Sequence, residues 1–146
     1  MEDVRQLSAQ MALLERQGEA LRQNIELLQA HLRELLVSKE TIGNLRDAPD
    51  GQEFLCPIGG GCYVFANVSD HDKVIVNLGS NIAMDAEPDR ALSVIDKRIE
   101  ETNTLLSESS KAFSDVQQRM QDLDARGREI MQRSSAQQPR QPPKAQ

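Results

Sequence analysis

The sequence contains very few aromatic residues. Among its 146 residues there is no Trp, one Tyr and three Phe. Aromatic side chains usually supply much of the area buried in a globular core, so this scarcity argues against one ordinary globular domain. Leu, Glu, Gln, Arg and Ala are common instead, a composition typical of long helices that pair along a seam.

Several other features are also absent. No apolar run reaches the roughly 18 residues of a membrane span, and the first residues lack the apolar segment of a secretory signal. The two cysteines cannot build a disulfide framework, so we expect a reducing, cytoplasmic location. The net charge is −6, and no basic stripe of the kind that a phosphate backbone needs is present. We therefore expect neither a membrane nor a nucleic acid as partner.

Residues 1–45 carry a heptad repeat. Its two sets of positions are Val4, Met11, Gly18, Ile25, Leu32 and Lys39, and Leu7, Leu14, Leu21, Leu28, Leu35 and Ile42. A period of 3.5 sustained over five heptads predicts a long coiled-coil helix, whose seam Gly18 and Lys39 interrupt. We expect this helix to end just after Ile42, with Gly43 or Asn44 as a left-handed cap.

Residues 88–133 form a second heptad arm. Pro88 is suited to the first helical position. The two sets are Leu92, Ile99, Leu106, Phe113, Met120 and Gly127, and Ile95, Thr102, Ser109, Val116, Leu123 and Ile130. The two arms are similar in length and are joined by a connection long enough for a reversal. They therefore predict an antiparallel two-helix coiled coil, followed at 134–146 by a polar, Pro-rich tail that we expect to be disordered.

Residues 46–87 predict two tandem β-hairpins. The candidate strands are Glu53–Ile58, Cys62–Val68, Lys73–Leu78 and Ile82–Met84. Both faces of these strands are apolar, and so short a sheet cannot bury itself in water. Its free edges would also be templates for aggregation. We therefore expect this segment to be an oligomerisation platform that uses Tyr63, Val64, Phe65, Val68, Val74, Ile75, Val76, Leu78 and Ile82.

No pattern predicts catalysis or a cofactor. The soft metal ligands are Cys56, Cys62, His31 and His71, whose spacing matches a zinc site poorly, so we expect ordinary packing for them. The glycines at 59–61 lack the Lys-Ser/Thr of a phosphate loop. The acidic residues at 70–72 suit a hairpin turn better than an acid–base pair. We expect a chain that is not an enzyme and has no catalytic, cofactor-binding or metal-binding residues.

Apolar side chains also occur near the outer ends of both arms. They are Val4, Leu7, Met11, Met120, Leu123, Ile130 and Met131. These residues can simply close the seam, or they can offer apolar surface to another molecule, and both can hold at once. The methionines favour a binding role, because their flexible side chains adapt to varied partners.

The chain resembles the alpha-type subunits of prefoldin, a co-chaperone of archaea and eukaryotes, over about residues 4–133. The resemblance rests on the order of arm, two hairpins and arm, on PIGGGCYVFANVSDHDKVIVNLGSNIAMD at 57–85, and on DRALSVIDKRIE at 89–100. It implies a mainly α protein with a small β part, in which the hairpins join an oligomeric β-barrel. It also implies a hexamer of two alpha-type and four beta-type subunits.

The resemblance further implies a function. Such an assembly would be an ATP-independent holdase that captures unfolded proteins at the coiled-coil tips and delivers them to a group II chaperonin. The alternative is a structural coiled-coil scaffold or tether without general chaperone activity. A scaffold would have fixed partners and no effect on the aggregation of unrelated proteins.

Overall fold

The computed structural model describes residues 2–136, with side chains described for 4–133. Its elements, in chain order, are α1 Glu2–Arg46, β1 Glu53–Gly59, β2 Cys62–Asn67, β3 Val74–Gly79, β4 Ile82–Ala86 and α2 Pro88–Ala136. The predicted class of two long helices with two hairpins between them is confirmed. Helix α2 continues three residues into the predicted tail, and the rest of that tail, 137–146, lies outside the described residues.

The chain divides into two compact units. One comprises Leu28–Leu105, and the other comprises Met1–Leu27 with Leu106–Gln146. We call them the hairpin unit and the terminal unit. Each contains a part of both long helices. No helix in the described residues is long and apolar enough to cross a membrane.

The helices pair through the residues that the heptads select. Except for Val4 and Lys39, every residue of the four sets is buried or half-buried. In the terminal unit, Gly18 lies against α2, where a Cβ built on it would be 3.6 Å from Val116 Cγ1 and 3.9 Å from Phe113 Cε2. Residues early in α1 therefore pack beside residues late in α2, so the two helices are antiparallel.

Polar members of the seam have partners. Thr102, buried in the hairpin unit, donates its hydroxyl hydrogen to the carbonyl of Arg98 over 2.7 Å. In the terminal unit, Asn24 Nδ2 donates to Ser109 Oγ over 3.0 Å and so joins the two helices. Because a buried hydroxyl without a partner would cost about 1–3 kcal/mol, these bonds explain how the seam accommodates Thr and Ser.

The end predicted for α1 is wrong. The helix continues through Gly43 and Asn44 to Arg46, and neither Gly43 nor Asn44 has a positive φ. Ile42 packs against buried residues of the second hairpin and of α2. This packing outweighs the roughly 1 kcal/mol by which Gly disfavours a helix interior, so tertiary contacts move the end of the helix beyond the glycine.

The strands form two separate antiparallel pairs, β1–β2 and β3–β4, which we call hairpin 1 and hairpin 2. In each, the register shifts just before a two-residue loop. The loop residues, Gly60 with Gly61 and Ser80 with Asn81, all have positive φ. Positive φ at both central positions is required in the tight turn whose twist matches that of paired strands.

Among the described residues, hairpin 2 shares a buried cluster with the helices. Val76, Ala86 and Ala91 are its buried centre, with Ile42, Val74, Met84 and Val94 packed around them. Arg98 of α2 also donates to the backbone carbonyl of Asn77 in β3. In hairpin 1, by contrast, no residue of 53–67 is buried.

Candidate interaction surfaces

The terminal unit contains an open apolar groove beside the N-terminal end of α1 and the C-terminal end of α2. Its volume is about 400 Å³, and we call it the distal groove. The apolar side chains that line it include Val4, Leu7, Met11, Leu123 and Met131. Met131 is 71% exposed. An exposed apolar side chain such as that of Met131 can contact apolar side chains of another molecule.

The polar rim of the distal groove carries little unbalanced charge. Asp124 and Arg128 line the rim and form an ion pair with each other one helical turn apart. Glu15 is the third charged residue of the lining. The groove therefore offers apolar contact rather than a charged binding site.

Two of the seven predicted tip residues lie elsewhere. Met120 lines a neighbouring cleft of about 400 Å³ together with Gly18 and Phe113. In that cleft, hydrogen bonding from Arg22 lowers the pKa of the Glu19 carboxyl below its ordinary value. Ile130 lines a third cleft with Leu7. The structure thus brings five of the predicted residues into one groove and distributes the other two around it.

Sequence reasoning missed several residues of the terminal unit. Leu13 is 57% exposed and lines a cleft of about 300 Å³ with Leu14, Arg119 and Arg126. The signal was present, because Leu13 is a large apolar residue outside both heptad sets. An apolar side chain at an outward-facing heptad position does not pack in the seam and is therefore free to contact another molecule.

The hairpins expose much of the predicted platform. Six of its nine residues are exposed, namely Tyr63, Val64, Phe65, Ile75, Leu78 and Ile82. Val76 and Val68 are instead buried within this chain, and Val74 is half-buried. Phe54, Leu55 and Ile58 of β1 are also exposed, and their large apolar side chains in a predicted two-faced strand could have identified them. The exposed residues are available to a partner.

The polar residues considered for metal or acid–base chemistry are scattered. Cys56 lies opposite Val64 and Cys62 opposite Gly59, so the two cysteines are not cross-strand neighbours. His71 hydrogen-bonds Asp50 through Nε2, and its buried Nδ1 has no partner in the described part of the chain. Among residues 2–136 no group of three or more potential metal ligands occurs.

Comparison with known proteins identifies the family. A family model described as "Prefoldin subunit" matches residues 14–133, most of the chain. The chain belongs to the prefoldin family.

Archaeal prefoldin alpha subunits are similar to it over nearly their whole length. Prefoldin subunit alpha of Methanosarcina mazei is 31% identical over 132 residues, which cover 88% of this chain and 93% of the relative. The Nitrosopumilus maritimus subunit is 31% identical over 99% of this chain and 97% of its own. The predicted resemblance to alpha-type subunits is confirmed.

A solved prefoldin structure is similar as well. A chain in the cryo-EM structure of filamentous PFD from Methanocaldococcus jannaschii superposes with a TM-score of 0.69 at 29% identity. The match covers 81% of this chain and 98% of that one. Prefoldin subunits are chaperone components that assemble into oligomers, and the chain has that general role.

Proposed function

We propose that this chain is the alpha-type subunit of a cytoplasmic, ATP-independent holdase. In this proposal two copies assemble with four beta-type subunits. The assembly captures unfolded proteins at the ends of its coiled coils and delivers them to a group II chaperonin. The observation that carries the proposal is the distal groove, whose apolar lining is open to solvent at the paired helix ends.

The size of the groove suits weak, unselective capture. Burying ~200 Å² of apolar surface at ~25 cal/mol/Å² stabilises a complex by ~5 kcal/mol, before the cost of association is subtracted. A single groove therefore binds an unfolded chain weakly. Several grooves acting on the same client raise the effective affinity, because each later contact is intramolecular.

Exposed strands support the assembly step. Hairpin 1 has apolar side chains exposed on both faces, with Phe65 at 76%. Two-stranded sheets also have unpaired edges, which favour pairing with strands of another chain. Beta-type subunits are the proposed partners, by the resemblance to prefoldin. Delivery to a chaperonin rests on the same resemblance.

Light scattering and a client assay test the proposal. The chain mixed with a beta-type subunit is expected to have a discrete mass near six subunits. That assembly should suppress the aggregation of a guanidinium-unfolded enzyme after dilution. The triple variant Val4→Ser, Met11→Ser, Met131→Ser should assemble normally and lose most of the protection.

The matched control is Leu27→Ser. Leu27 is a large, exposed apolar residue of the same unit, and it lies outside the distal groove. It should leave protection unchanged. If the native assembly gives no protection, or if the triple variant protects as well as native, the holdase proposal is wrong. A stable assembly without protection would favour the scaffold alternative.

A further inference from the structure

Three arginines form a row along α2 in the terminal unit. Arg119, Arg126 and Arg133 are seven residues apart, so they lie on one side of the helix. Within the described part of the chain, none of the three has an ion-pair or hydrogen-bond partner. In the sequence these arginines do not stand out as a basic stripe, because Asp122, Asp124 and Glu129 lie between them.

The arginines border a second groove. It consists of two adjoining clefts of about 300 and 340 Å³ that share Gln10 and Arg126, and we call it the arginine groove. Its apolar lining is Leu7, Leu13, Leu14, Leu123 and Ile130. A groove with an apolar lining and cationic margins suits a ligand that is apolar on one side and anionic on the other.

The charge around the arginine groove is positive. Helix α1 contributes only uncharged side chains to it, including Gln6 and Gln10. Helix α2 adds two acids, Asp122 and Glu129, against the three arginines. Asp122 also accepts a hydrogen bond from Gln118 over 3.1 Å. The groove therefore has an excess of one positive charge, in a chain whose net charge is −6.

The distal groove differs in charge. Arg128 is the one basic residue of its lining and is already paired with Asp124, while Glu15 adds a negative charge. The two grooves share Leu7 and Leu123, so the same apolar seam has a cationic margin on one side and a margin with little unbalanced charge on the other. Such a difference can sort ligands by charge.

We propose that the arginine groove binds acidic, amphipathic segments of non-native polypeptides. This inference rests on the proposed holdase function and specifies one class of client segment. Apolar side chains of the client pack on the leucines, and its Asp or Glu carboxylates accept hydrogen bonds from the guanidinium groups, whose planar donors suit carboxylates.

The spacing of the arginines sets the pattern of the ligand. Residues seven apart on a helix are about 10.5 Å apart along its axis. A client in the extended polyproline II conformation advances about 3.1 Å per residue and has three residues per turn, so its acids three residues apart lie on one side, about 9 Å apart, and match two neighbouring arginines. Residues 137–146 of this chain are not suitable occupants, because their charged residues are Arg140 and Lys144.

The test compares three labelled peptides on the assembly with beta-type subunits. The peptides share the same leucines and carry Glu, Gln or Lys at two positions three residues apart. Fluorescence anisotropy at low salt is expected to show binding of the Glu peptide about tenfold tighter than that of the Lys peptide, a value typical of two exposed charge pairs. The preference should shrink in 300 mM salt through screening.

Two double variants isolate the arginines. R119Q/R126Q should reduce the preference to about twofold or less. The control R16Q/K111Q also removes two positive charges, from exposed positions of the terminal unit that line none of the grooves described above. This control should retain the tenfold preference for the Glu peptide. Equal binding of the three peptides, or an equal loss in both variants, would overturn the inference.

Competition distinguishes a peptide site from a general polyanion site. A thymidine oligonucleotide that displaces the Glu peptide as well as unlabelled Glu peptide does would also overturn the inference. Aggregation of the unfolded enzyme is measured in parallel. If the native assembly protects the enzyme but binds the three peptides equally, only the inference about the arginine groove is wrong. If it neither protects the enzyme nor binds any of the peptides, the proposed holdase function is wrong too.

Discussion

Gly18 and Gly79 occupy positions with opposite requirements. Gly18 is in the interior of α1, and a Cβ placed there would make ordinary contacts with Val116 and Phe113. G18A should therefore raise the free energy of unfolding by about 1 kcal/mol, the difference in helix propensity. Gly79 has a φ of 95°, so G79A should lower stability by a similar amount or more. Urea unfolding followed by circular dichroism measures the free energy of unfolding of both variants. A destabilised G18A would show that the seam has no room for the added methyl group.

Ser80 is strained by its turn. It has a φ of 51° in the two-residue loop of hairpin 2, a conformation that Gly adopts without cost. S80G should stabilise hairpin 2 by up to about 1 kcal/mol, seen as slower amide exchange in β3 and β4. The matched control is S110G in α2, which should destabilise because Ser110 is helical. Faster exchange in S80G would contradict this explanation.

At the scale of elements, hairpin 2 packs against α2, whereas hairpin 1, residues 53–67, has no buried residue. Arg98 donates to the Asn77 carbonyl, and the Asn77 side chain accepts from the Gly79 amide over 2.8 Å. R98A removes the first bond, worth about 1 kcal/mol, so amide exchange of β3 and β4 should accelerate about fivefold. K97A, one residue earlier and exposed, is the control and should change nothing. Equal acceleration in hairpin 1 would indicate global rather than local loosening.

At the scale of the whole molecule, the exposed hairpin residues should control assembly. The double variant Phe65→Asp, Ile75→Asp places charges where apolar side chains are exposed. Burying an unpaired charge in an interface costs several kcal/mol, so the proposed hexamer with beta-type subunits should be lost. Light scattering measures the mass, and circular dichroism should show unchanged helix content, because both side chains are exposed and lie outside the two helices. A hexamer of normal mass would rule out these strands as the interface.

Local patterns were sufficient to predict the seam and the hairpins. A heptad repeat selects one side of a helix, so Leu14, Leu35 and Ile95 could be expected in the seam, and all three are buried. Turn-forming residues likewise located the two loops. The residues at 46–87 could not reveal that hairpin 2 is anchored and hairpin 1 exposed, because both have apolar residues on both faces.

The type and order of the elements, and the residues that face the seam, follow from local sequence patterns. These properties depend on residues only a few positions apart. Three other features come from tertiary contacts: α1 continues through Gly43, five of the seven predicted tip residues line one groove, and Arg119 and Arg126 border another. Each of these depends on which residues of distant segments meet, and packing energies between segments override the local preferences of single residues.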